Sequence, residues 1–228
     1  MELARTGNPG PIWVVADEQT GGRGRHGRVW IAPRGNLNAS LLLIDPAPPA
    51  RLPELGFVAG VALAQALHDT LGGDRDLKIK WPNDMVYKGA KLSGLMLEGS
   101  RLADGNQVCI IGIGVNCEDT PLDIGYAATN LTKVAGRTIK AGEILARLTH
   151  AMDRELGLYA RGANFGYIRE RWLGFAAGLG GTLRVQSGQR TTEGRFETID
   201  SAGRLVLKTD GGRVAIEAGD VFLPNAHA

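Results

Sequence analysis

Apolar residues at positions 55, 58, 59, 62, 63, 66, 67 and 71 recur at three- and four-residue spacing, which predicts a helix over residues 52–71. Pro53 suits its first turn and Gly72 its C-terminal stop. The period then drops to two. Leu77, Ile79 and Trp81 alternate with Lys78 and Lys80, the pattern of a half-buried strand with two lysines on its opposite face, and Pro82-Asn83-Asp84 reads as the turn that follows. Apolar, β-type runs at 12–16 (IWVVA) and 40–44 (SLLLI) frame a loop of glycines and arginines. Segments 92–98 and 108–115 predict further strands, and 141–159 and 167–173 further helices. From Gly178 the character changes to short β-type runs, TLRVQ, GRFETI, RLVLK and RVAIE, punctuated by Ser-Gly, Ala-Gly and Gly-Gly turns, as in a small antiparallel barrel or sandwich. The pattern therefore divides the chain near 174–178, with an α+β domain over 1–176 and a small all-β domain over 177–228.

Composition narrows the classes. The 33 glycines among 228 residues are about twice the usual share. With 43% apolar and 22% charged residues and no three-residue glycine period, neither disorder nor a collagen-like repeat explains them. A net charge of +2 and 6% aromatic residues give no basic or base-stacking face for nucleic acid. The uncharged stretch 55–68 is too short to span a bilayer, the first 11 residues lack the apolar core of a signal peptide, and two cysteines make no disulfide framework. The expectation is a cytoplasmic protein. His26, His68, His150 and His227 are dispersed, and Cys109 and Cys117 lack zinc spacing, so no side-chain metal cluster is expected. No Gly-x-Ser-x-Gly elbow is present.

Candidate chemistry concentrates in residues 21–28, GGRGRHGR. Gly22, Gly24 and Gly27 match the spacing of a dinucleotide fingerprint, but that motif must open a helix, whereas Val29 to Gly35 carries β-type residues and then breakers. A Walker A loop fails too, since Arg28 and Val29 follow Gly27. What remains is a flexible backbone with Arg23, Arg25 and Arg28 and no acidic residue between Gln19 and Ile44. Such a loop suits an anion, because arginine forks bind phosphate or carboxylate and glycines let backbone amides approach. A solvated hairpin tip is the alternative.

Three segments in order, GGRGRHGR at 21–28, KWPND at 80–84 followed by Lys91-Leu92-Ser93-Gly94-Leu95, and GIGVN at 112–116, resemble those of biotin protein ligases. The resemblance covers residues 12 to 223 and implies a mixed sheet with helices, like the catalytic domain of class II aminoacyl-tRNA synthetases, plus a small C-terminal SH3-like β-barrel. It implies activation of biotin by MgATP to biotinyl-5′-AMP, then transfer to a lysine of a biotin carboxyl carrier domain. On this reading Lys91, supported by Arg25 and Arg28, lies between the biotin carboxyl and the α-phosphate, Arg25 closes over the adenylate, and Gly22, Arg23, Gly24 and Gly27 of the loop belong to the binding set. Gln19 matches a biotin-pocket position, Trp30 covers the adenine, and Asn116 lies near the nucleotide. Lys80, Gly94 and Gly114 complete the binding set. Asn83 and Asp84 sit on a turn where a carboxylate can hold Mg²⁺ or take the proton from the incoming lysine amine.

The 20 residues before the loop hold neither the Ser/Thr-Thr-Asn stretch that contacts biotin in the family nor a DNA-binding helix-turn-helix, so no DNA binding is expected. A homodimer is compatible with the resemblance. Two rivals stand beside this reading: a lipoate or octanoate ligase or transferase of the same fold, which would lack the arginine loop and KWPND, and a non-catalytic biotin-binding module.

Overall fold

A computed structural model describes residues 1–120 and 125–223. Six strands, β1 (Ile12–Ala16), β2 (Leu37–Ile44), β3 (Leu77–Lys80), β4 (Asp84–Tyr87), β5 (Ala90–Arg101) and β6 (Gln107–Val115), form one antiparallel sheet in the order β1-β2-β6-β5-β4-β3. Alternation decides what each face carries. Leu37, Ala39, Leu41 and Leu43 of β2 and Cys109, Ile111, Ile113 and Val115 of β6 enter the core. The intervening residues, among them Ser40, Gly112 and Gly114, face the other way and line a cavity.

Helix α2 (Leu55–Thr70) lies against the core face and is buried on nearly all sides. That explains its uncharged length: it is a central helix, not a surface one. The predicted 52–71 helix begins later because residues Pro49–Glu54 form 3₁₀ turns first. Helices α4 (Ala141–Tyr159) and α5 (Phe165–Phe175) pack outside it, and Phe57 meets Trp172 and Phe165 edge-on with ring centroids 5.4 and 5.5 Å apart. Between these helices Glu155 is fully buried and paired with Arg154 and Arg171. Helices α1 (Glu2–Arg5) and α3 (Leu131–Ala135) are single turns. Cys109 and Cys117 are free and buried, and burial pushes their thiols up to about 11 and about 12, so they serve as core residues. Among the described residues no helix is long and apolar enough to cross a membrane.

Five strands follow, β7 (Thr182–Ser187), β8 (Arg190–Ile199), β9 (Leu205–Thr209), β10 (Gly212–Ile216) and β11 (Asp220–Phe222), in the antiparallel order β10-β9-β8-β7-β11. The sequence pattern predicts a barrel or sandwich. The structure shows an open sheet, with β10 and β11 as its two edges. The connecting segment pairs with the main sheet: Ala177 donates its N–H to the Ile79 carbonyl at 2.8 Å, beside a parallel bridge between Ile79 and Ala176. The turn at Gly203 also approaches α2 closely, since a Cβ there would lie 2.9 Å from Phe57.

Candidate active site

The cavity, about 270 Å³, lies on the face of the main sheet opposite the helices. Its floor is built on two rows in register across β5, β6 and β2, Gly94 and Gly114 in one and Met96, Gly112 and Ser40 in the other, with Asn38 of β2 buried opposite Gly114 beyond the first row. Side chains at Gly94 and Gly114 would fill the space above the sheet. The indole of Trp30 occupies it, lying within 2.5 Å of where a Cβ on Gly114 would stand and 3.4 Å from one on Gly94.

Lys91 projects from β5 beside this floor, and its Nζ lies 2.7 Å from Asp84 Oδ1. Lys80 at the end of β3 approaches the other oxygen of Asp84 at 3.6 Å. Two half-buried lysines thus share one carboxylate, leaving net positive charge at the cavity wall, and Lys91 is further flanked by the rings of Trp30 and Tyr126 at 5.6 and 5.5 Å. The KWPND turn is rigid for local reasons. Trp81 is buried in the core, and Asn83 is clamped to β5, donating from Nδ2 to the Leu95 carbonyl while its own carbonyl accepts the Leu95 N–H at 2.9 Å.

The arginine loop crosses above. It opens no helix of the dinucleotide kind. Arg25–Gly27 make one 3₁₀ turn in which His26 takes a left-handed conformation, and Gly27 follows with φ +73°. Gln19 and Gly22 line the cavity at the loop's base, where Gly22 is needed because a Cβ would lie 2.3 Å from the Trp30 carbonyl. The expectation that no acidic group neutralises the arginines is corrected by residues remote in sequence. Arg23 pairs with Glu98 at 2.9 Å, and one terminal nitrogen of Arg28 donates to both carboxylate oxygens of Asp220 of β11 at 2.7 and 2.8 Å. Arg25 is different: among the described residues it has no carboxylate within ion-pair distance, and it donates to the neutral Asn83 Oδ1 at 3.3 Å. Burial lowers its pKa, against the opposing pull of Asp220 and Asp84. A half-buried, under-compensated cation is the group an incoming phosphate would relieve.

Of the residues singled out from sequence, Gln19, Gly22, Arg23, Gly24, Arg25, Arg28, Trp30, Asn83, Asp84, Lys91, Gly94 and Gly114 line this one cavity. Lys80 lines an adjoining cleft of about 910 Å³, walled on its far side by β7 and β11. Gly27 and Asn116 line neither cavity. Asn116 is buried behind the wall, donating from Nδ2 to the Thr129 carbonyl at 3.1 Å. His227 lies outside the described residues, and among those described no group of three or more His, Cys, Asp or Glu residues converges. Sequence reasoning missed Asp220, Glu98, Ser40 and Tyr126, which line the cavity. Only folding brings the first two to the loop, whereas the placement of Ser40 follows from the alternation of β2.

Burial pushes the Asp220 carboxyl up, but the hydrogen bond and charge of Arg28, with the charges of Arg25 and His26, outweigh it and hold the group below the usual carboxylate range. A depressed carboxylate adds stability above its unfolded value of 3.8, lost as pH falls through the folded value. Both partners are well exposed, so the latch is modest. Asp220→Asn should speed amide exchange of residues 22–28 at neutral pH by up to about fivefold, and acidification of the wild type below its unfolded value should loosen the same segment. Unchanged exchange in the variant would show that the pair does not hold the loop.

Comparison with known proteins shows the family. Residues 3–116 match the Biotin/lipoate A/B protein ligase family and residues 179–223 the Biotin protein ligase C terminal domain. A biotin–[acetyl-CoA-carboxylase] ligase of Paracoccus denitrificans is 39% identical over 95% of this chain and 92% of its own length. A bifunctional ligase/repressor of Bacillus subtilis is 34% identical over 97% of this chain and 69% of its own. Among solved structures, the biotin protein ligase from Aquifex aeolicus in complex with biotin and ATP superposes with a TM-score of 0.79 at 27% identity, covering 92% of this chain and 87% of that one.

Proposed function

We propose, from the premise that this chain belongs to the biotin protein ligase family, how its cleft carries out the family's reaction. The protein is an ATP-dependent biotin protein ligase. It joins biotin to ATP as biotinyl-5′-AMP with release of pyrophosphate, then passes the biotinyl group to a lysine of a carboxyl carrier domain. We assign catalysis to residues 1–176 and read the sheet of 177–228 as an SH3-like barrel left open between β10 and β11.

The observation that carries the site assignment is the pair of lysines on Asp84 beside a floor of bare glycine backbone. In the first step a carboxylate oxygen attacks the α-phosphorus, so two anions must approach. Lys91 lies where it bridges them, and Asp84 fixes its direction. Arg25, with no carboxylate of its own, is available to the phosphates from above. In the second step the carrier amine attacks the acyl carbon, AMP departs, and Asp84 is the carboxylate placed to accept the amine proton. The larger cleft between KWPND and β7–β11 leaves room for the carrier segment that brings the lysine. For Trp30 to cover the adenine it must leave the glycine floor.

Magnesium enters with the nucleotide as substrate. Asp84 is already engaged by two lysines and Asn83 by Arg25 and Leu95, and among the described residues no group of three or more His, Cys, Asp or Glu side chains converges, so the donor set does not fit a resident ion. Phosphate oxygens are its ordinary ligands.

Incubation with MgATP, biotin and a carrier domain should give pyrophosphate release and labelled carrier. Substituting lipoate or octanoate should give neither. Absence of carrier labelling with biotin would sink the assignment.

A further inference from the structure

Behind the cavity floor, opposite Gly114, stands a buried side chain that nothing in the reaction above uses. Asn38 is 2% exposed, and among the described residues its Nδ2 reaches only the Asn36 carbonyl at 3.5 Å and its Oδ1 has no partner. A buried carbonyl oxygen without a donor destabilises the unliganded fold, and such groups call for a partner that binding supplies. Its position is specific. Leu37 and Ala39 point into the core, so Asn38 shares the opposite face of β2 with Ser40, which lines the cavity. Across the ladder Asn38 stands opposite Gly114, which stands opposite Gly94. Lys91 Nζ lies 3.6 Å from where a Cβ on Gly94 would be. A track of bare backbone thus leads from the Lys91 ammonium to the Asn38 amide over two strand spacings, about 10 Å.

Trp30 shows what the track accommodates. Its six-membered ring lies over Gly94 and its pyrrole edge over Gly114, and its Nε1 is a second buried polar atom without a partner. The slot therefore has room for a fused two-ring group with polar atoms toward the Asn38 end.

We propose that Asn38 is a specificity-determining residue whose Oδ1 accepts a hydrogen bond from a ring N–H of the cyclic urea of biotin. This rests on the ligase reading: with the biotin carboxylate at Lys91, the valeryl chain crosses Gly94, the fused rings lie over Gly114, and the urea reaches Asn38. A ligand without ring N–H groups leaves the amide as it is now, unpaired. Trp30 vacates the slot when the ligand takes it.

Steady-state kinetics of the wild type, Asn38→Leu and Asn38→Ser test this. Both variants should raise KM for biotin at least tenfold, with KM for ATP and kcat at saturating biotin within twofold of wild type. The thermal midpoint of unliganded Asn38→Leu should be no lower than that of wild type, because the group removed had no partner at its oxygen. A purely structural role would lower the midpoint and leave KM for biotin alone. Should the leucine variant fail to fold, the serine variant carries the same test. Unchanged KM for biotin in either folded variant overturns the role of Asn38. Failure of the wild type to release pyrophosphate with biotin overturns the ligase reading and this inference together.

Discussion

Lys91→Ala lowers biotinyl-5′-AMP formation by about 100- to 1000-fold, the usual cost of removing one fixed donor from a site where charge develops. The expectation follows from where Lys91 sits. It is the cation nearest the glycine floor, its side chain is only 21% exposed, and Asp84 holds it in one direction at 2.7 Å. A group so placed needs no reorganisation when carboxylate and phosphate meet. The loss should fall on the first step, since transfer from preformed adenylate asks less of this cation. Folding should survive, because Lys80 still faces Asp84 at 3.6 Å. Pyrophosphate release with biotin and MgATP reads the effect, and circular dichroism checks the fold. Lys91→Arg should rescue little, as a planar fork cannot reproduce a point charge between two flanking rings. A fully active alanine variant would remove Lys91 from the mechanism.

Arg25→Gly should release the activated intermediate into solution. The three loop arginines differ in what already holds them: Arg23 is tied to Glu98 and Arg28 to Asp220, while among the described residues Arg25 reaches only the neutral Asn83. Arg25 is therefore the one whose charge is left to the ligand. A lid bound by a charge-assisted contact retains a mixed anhydride that water would otherwise hydrolyse. Losing such a contact, worth roughly 1.5–3 kcal/mol, raises escape by about 10- to 100-fold. Free biotinyl-5′-AMP measured in the absence of carrier gives the result directly. Retention equal to wild type would show that the loop does not close through Arg25. The variant should still form adenylate, which separates it from Lys91→Ala.

Local periodicity carried much of the fold. The alternation of 77–81 and the helical spacing of 55–71 survive into β3 and α2 because both segments face the core along their whole length. Segments without a repeat were not legible. Four-residue β4 begins on an aspartate two residues after Pro82 and reads as the end of a turn, and β11 has only three residues. Barrel against open sheet depends on whether two edges meet, which no strand's own pattern encodes. The same division holds for the site. Glycines, arginines and the Lys91 and Asp84 pair were visible as residue types that chemistry demands in a short span. The partners of Arg23 and Arg28 stand 75 and 192 residues away, so their neutralisation is a property of the assembled fold. Asn116 illustrates the reverse case, a motif residue that supports the wall from behind rather than lining it.

The bond from Ala177 to Ile79 gives the chain between the two sheets a second identity. It acts as a cap on the outer edge of β3, the same strand that ends on Lys80. Open strand edges invite pairing with other chains. The connecting segment therefore covers the edge of β3 at Ile79, and a fragment ending before residue 176 should leave that edge open beside Lys80.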